Sequence, residues 1–213
     1  MIEKVSDIWQ DPAEAIGELL IGKSLEQTAP ALSQIPLLSV AIAAYKSKGA
    51  ISDYLLARKV QKFYTAWDDL SDHERREIYQ KFQKKPKAFI EKLLFILAQQ
   101  EDLQKCKLLG VLTTSYLRGQ LKRAEYLDFI ETVAHLTLRD VLLLCKLVDY
   151  GVIVPERKVG ERYASLFVSR GLLASEPHLP PEQRSGRGRY YRITTLGERF
   201  IAQAAQSKLK ETA

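Results

Sequence analysis

Six apolar stripes at helical spacing follow one another between Ile51 and Tyr150, and none of them alternates as a strand would. The first runs to Trp67 through Leu55, Val60 and Phe63, with Arg58, Lys59 and Lys62 on its polar side. Ser71-Asp72-His73-Glu74 then has the form of a capping box. In it the Ser71 oxygen accepts from the Glu74 amide and the Glu74 carboxylate reaches back. The helix it opens carries Ile78, Tyr79 and Phe82 and must stop before Pro86. Further helices are predicted over 88–100, 102–117 and 124–136, with Gly119 as the left-handed cap of the middle one. Thr137 caps a sixth, closed by Gly151. Links this short make antiparallel neighbours, so a helical bundle over 51–150 is predicted. No fixed repeat period argues for a solenoid.

Residues 1–50 read as a separate helical segment. Pro12 follows Asp11 as a first-turn and cap pair, Pro30 and Pro36 bracket a hinge, and a second helix runs from near Leu37 to Lys46. The apolar run 35–45 is 11 residues long, whereas a bilayer needs roughly 20. It suits a buried core helix, or a helix lying on a membrane surface so that residues 30–48 make the contact. Glu3, Asp7, Asp11 and Glu14 stand where a secretory signal would be basic and then apolar. The two cysteines, Cys106 and Cys145, form no CxxC pair and sit in apolar helical contexts. Both read as small buried hydrophobes in a reducing cytoplasm.

The last quarter carries the distinctive chemistry. An apolar helical run ends at Gly171 and a short extended stretch follows. Next come the loop Pro180-Pro181-Glu182-Gln183-Arg184-Ser185-Gly186-Arg187-Gly188-Arg189, the stretch Tyr190-Tyr191-Arg192-Ile193-Thr194, and a helix from Leu196 to near Lys208. Within 184–199 there are five Arg and one acid, Glu198. This order, helix, hairpin with a basic tip, helix, resembles the winged-helix module. The expected fold is therefore mainly α, with a multi-helix bundle followed by a small winged-helix-like α+β unit with one β-hairpin. Its partition is 1–50, 51–150 and 151–213, with a seam at 152–160, where Pro155 and Gly160 interrupt the pattern.

In that resemblance residues 159–173 are the helix at the recognition position. Arg157, Lys158, Arg162, Ser165, Ser169 and Arg170 face outward, and Tyr163, Leu166, Phe167 and Leu172 face the core. Arg184, Arg187 and Arg189 form a basic wing, and Arg192 lies on the return strand. One departure stands out. Only about nine residues, Pro155 among them, separate Tyr150 from Gly160, room for at most one helical turn where a full helix-turn-helix has a helix. Units truncated in this way also serve as protein-binding surfaces. Residues 101–133, around Tyr116, Gly119, Leu121 and Glu125, resemble the helix-Gly-helix step of TerB-like (tellurite-resistance-associated) bundles. That resemblance implies a bacterial stress- or phage-defence setting. Its metal-binding members carry acids on the linker, where this chain has Gln120, Lys122 and Arg123, so no metal site carries over.

No phosphate-loop, dinucleotide-binding or nucleophile-elbow pattern occurs. Asp68-Asp69 and Glu101-Asp102 sit at helix boundaries, where acids suit the backbone dipole. His73, His135 and His178 share no ligand spacing. No catalytic residue, metal or cofactor is expected. The net charge of +6 favours acidic partners. The sequence thus points to a non-enzymatic interaction protein that docks a partner protein or a second copy of itself. The alternative is a nucleic-acid-binding regulator using the Arg-rich wing, and a further one is a membrane-peripheral protein.

Overall fold

The computed structural model describes residues 50–177 and 188–209. The elements predicted before residue 50, the membrane-contact reading of 30–48, His178, Arg184 and Arg187 lie outside the described residues. Within them the chain is mainly helical with one small antiparallel sheet, as expected. It divides into two compact units, Met1–Ala134 and His135–Ala213.

The first unit contains α1 (Ala50–Tyr64), a single 3₁₀ turn (Thr65–Trp67), α2 (Asp72–Gln83), α3 (Lys87–Gln99), α4 (Leu103–Leu117) and α5 (Arg123–His135). The local signals in the sequence account for the helix ends. The Ser71–Glu74 capping box forms in both directions, and Asp102 caps α4 by accepting from the Gln104 amide at 2.6 Å. Ser71 hydrogen bonds first, and Arg118 nearby, hold the Glu74 carboxyl below its ordinary pKa.

Burial of the apolar stripes drives the packing. Val60, Phe63, Tyr64, Phe82, Leu97, Leu108, Leu109, Leu112 and Phe129 are fully buried, each side chain contributing about 1.5–3 kcal/mol when removed from water. Gly110 sets the α1–α4 distance. A Cβ there would lie 2.1 Å from the Phe63 carbonyl oxygen and 2.8 Å from the Ala66 Cβ, so no larger residue fits without moving a helix. Beside it the buried Trp67 indole donates to Thr114 Oγ1 at 3.0 Å. Rings continue the core from Phe63 through Phe82 and Phe89 to Tyr126 and Tyr116, the last two stacked at 4.6 Å.

The second unit runs α6 (Leu138–Leu147), a 3₁₀ turn (Val148–Tyr150), β1 (Ile153–Pro155), α7 (Glu156–Val159), α8 (Glu161–Ser169), β2 (Leu173–Ser175), β3 (Tyr190–Ile193) and α9 (Thr195–Gln206). The strands form one antiparallel sheet of order β1-β3-β2, with Val154 opposite Tyr191 and Ala174 opposite Arg192. Thr137 and Asp140 complete a capping box on α6, and Thr194 caps α9. The core comprises Val141, Leu144, Leu147, Val154, Ala164, Phe167, Leu172 and Phe200.

Two expectations need correction here. The segment 152–160 holds the one helical turn it had room for, but also a strand that was not expected. The helix expected over 159–173 is shorter. It starts after Gly160, whose φ of 82° breaks the chain between α7 and α8, and it ends at Ser169 because Leu173 belongs to the sheet.

Candidate nucleic-acid interface

Charge is unevenly shared between the two units. Residues 135–213 hold 13 Lys and Arg against 8 Asp and Glu, so this unit carries +5 of the chain's +6. In this unit α8 lies between β1 and β2 in sequence and is preceded by the single turn α7.

The exposed side of α8 carries Glu161, Arg162, Ser165, Val168 and Ser169. Its inner side is formed by Ala164 and Phe167, with the half-buried Tyr163 stacked against Phe167 at 6.4 Å. The helical period therefore sorts the residues largely as expected, although Leu166 is half-buried. Arg157 and Lys158 are exposed on α7, and the Lys158 ammonium lies 5.0 Å from the Tyr150 ring centroid. Among the described residues Arg162 has no carboxylate within salt-bridge distance. Arg170 departs from expectation. It is half-buried at the end of α8, and its Nε is enclosed without a hydrogen-bond partner, so it is not part of an outward face.

Arg189 and Arg192 are engaged within the unit. Arg189 Nη1 lies 4.0 Å from Glu156 Oε1, which also accepts from the Tyr191 hydroxyl at 3.1 Å. The backbone reinforces this link, since the Glu156 amide donates to the Arg189 carbonyl at 2.9 Å. Burial first, then the Glu156 carboxylate, raises the Tyr191 phenol pKa and keeps it a neutral donor. Arg192 pairs with Glu176 across the β2–β3 edge. Both guanidinium side chains stay largely open, 70% for Arg189 and 54% for Arg192, while their carboxylate partners are mostly covered. Exposed pairs of this kind contribute about 0–1 kcal/mol and are screened by salt. The open guanidinium faces leave room for a phosphate to share each arginine with its carboxylate.

The sequence reading missed β1 and the two carboxylates that engage Arg189 and Arg192. The β-branched run Val152-Ile153-Val154 before Pro155 was the available strand signal, with proline placed where an edge strand tolerates it. It also missed a run of apolar exposure: Val148, Tyr150 and Val152 are 48%, 48% and 55% exposed.

Elsewhere the chemistry is quiet. Burial pushes the Cys106 thiol up to about 12 and raises Cys145, so neither is an activated nucleophile. Among the described residues no group of three or more His, Cys, Asp or Glu could hold a metal ion, and no helix is long and apolar enough to cross a membrane. No protein-family model, curated protein or solved structure matches this chain.

Proposed function

We propose that the C-terminal unit is a winged-helix-type module that binds duplex DNA, with α8 as the groove-entering helix. The concentration of +5 on this unit carries the reading. The topology supports it, because a helix of nine residues with Arg162, Ser165 and Ser169 exposed on one side fits a major groove. Arg157 and Lys158, exposed on α7, would contact phosphate, and Arg189 and Arg192 on and beside β3 would extend that contact. The role is binding, without catalysis. The TerB-like resemblance adds a bacterial stress or defence setting to this proposal.

Fluorescence anisotropy of the full chain on a short labelled duplex tests it. Lys158→Glu with Arg162→Glu should weaken binding at least about tenfold and flatten the salt dependence, since each lost phosphate contact removes about 0.9 from the log–log slope. Unchanged affinity would sink the reading.

A second reading rests on the exposed Val148, Tyr150 and Val152. Three large apolar side chains within five residues suit a protein contact, and a second copy of this chain is the occupant proposed. Light scattering tests this, with Tyr150→Ser and Val152→Ser expected to turn a dimer into a monomer.

A further inference from the structure

The first unit is nearly neutral, with 19 Lys and Arg against 18 Asp and Glu, yet its cations are not evenly spread. No acid occurs between Glu77 and Glu91, a stretch holding Lys81, Lys84, Lys85 and Lys87. None occurs between Asp102 and Glu125, which covers the α4–α5 turn with Lys122 and Arg123. Folding brings these two stretches together. Phe89, two residues after Lys87, packs 5.9 Å from Tyr116 and 5.7 Å from Tyr126. Lys85 Nζ lies 4.2 Å from the Tyr116 ring centroid. Lys122 lies one helical turn before Tyr126, whose amide donates to its carbonyl at 2.9 Å. The aromatic trio thus acts as a hub that joins the α2–α3 corner to the α4–α5 turn.

Lys84, Lys87, Lys122 and Arg123 are exposed around that hub. Lys87 pairs with Glu91 at 3.4 Å in an open i,i+4 contact, and Lys84, Lys122 and Arg123 have no carboxylate partner among the described residues. Two of these cations also oppose local helix electrostatics. Lys87 begins α3 and Arg123 begins α5, at helix ends that carry partial positive charge. Glu91 offsets the first of these only through an open contact, and an external anion would relieve the repulsion at both. Tyr126 stacks on the Tyr116 ring and Lys85 Nζ lies over it, Tyr126 is buried and Phe89 half-buried, so the hub offers no exposed apolar ring for insertion into lipid. That favours a phosphate backbone over a membrane surface.

We infer that the α2–α3 corner and the α4–α5 turn form a second, sequence-independent contact for the phosphate backbone of nucleic acid. The inference rests on the DNA-binding reading of the C-terminal unit for its choice of ligand, and not for its geometry.

The test uses the full chain, labelled duplexes of two unrelated sequences, and vesicles of phosphatidylcholine with phosphatidylserine. Lys84→Glu, Lys122→Glu and Arg123→Glu are combined in one variant, with the matching alanine triple beside it. The glutamate at position 123 meets the start of α5 with the favourable sign of charge, so circular dichroism should show an undiminished fold. The expected result is a loss of affinity equal for both duplexes, with the salt slope reduced by about two to three for the glutamate triple and by less for alanine. An unchanged slope, alongside loss of binding by Lys158→Glu with Arg162→Glu, overturns this inference and leaves the C-terminal reading standing. The reverse pattern supports this corner and overturns that reading. Loss of vesicle capture in the triple, with DNA binding intact, also overturns the inference and assigns the corner to lipid.

Discussion

Single positions carry more of this fold than their size suggests. Gly110 is the clearest, because its missing side chain lets α4 rest on the Phe63 carbonyl. Gly110→Ala should destabilise the protein by at least about 1–3 kcal/mol, the usual cost of overpacking a fitted core, read as a lower urea midpoint. An unchanged midpoint would show that α1 and α4 can part without penalty. The sequence offered no clue to this. Gly110 sits in the middle of an apolar helical stripe, and its partner is a backbone atom 47 residues earlier. Ser71, Thr137 and Asp102 are the opposite case. Their caps close within two or three residues, so the local sequence was enough to place them. Arg170 shows the limit of helical periodicity. Spacing puts it on the polar side, but at the end of α8 its side chain is partly enclosed.

Among the elements, the long helices were legible and the short ones were not. A helix of 12 to 15 residues repeats its stripe several times, whereas β1 and β2 are three residues each and exist through pairing with β3. The link from Glu156 to Arg189 and Tyr191 spans more than 30 residues and was equally invisible. The start of α9 shows how such distant pieces are tied. Thr194 Oγ1 accepts from the Gly197 amide at 2.9 Å and donates to the Gly171 carbonyl at 2.6 Å, so one hydroxyl serves both the helix and the approach to β2. Thr194→Ser should keep most of the stability and Thr194→Ala should cost about 1 kcal/mol or more. Thermal denaturation would show it, and equal melting of the two variants would mean the hydroxyl contributes nothing.

On the scale of the whole molecule, charge is the property that separates the two units. Positive charge rests on 32 Lys and Arg, with only 3 His. Nucleic-acid binding should therefore be nearly flat between about pH 6 and pH 9 at fixed salt. A titration with a midpoint near neutrality would overturn that expectation. The net charge and its clustering near the C-terminus were readable from the chain. That Arg189 and Arg192 already have carboxylate neighbours was not, because Glu156 and Glu176 lie outside the 184–199 stretch that made the region look unopposed.

The small sheet has one further consequence. Both of its outer strands, β1 and β2, are three residues long, and a proline closes or shortly follows each, Pro155 in one case and Pro177 in the other. A foreign strand laid along either border would find few main-chain donors before meeting an imide that has none. Fibril-like growth from this sheet is thereby discouraged. A protein that gathers at high local concentration along a polymer would gain from that safeguard.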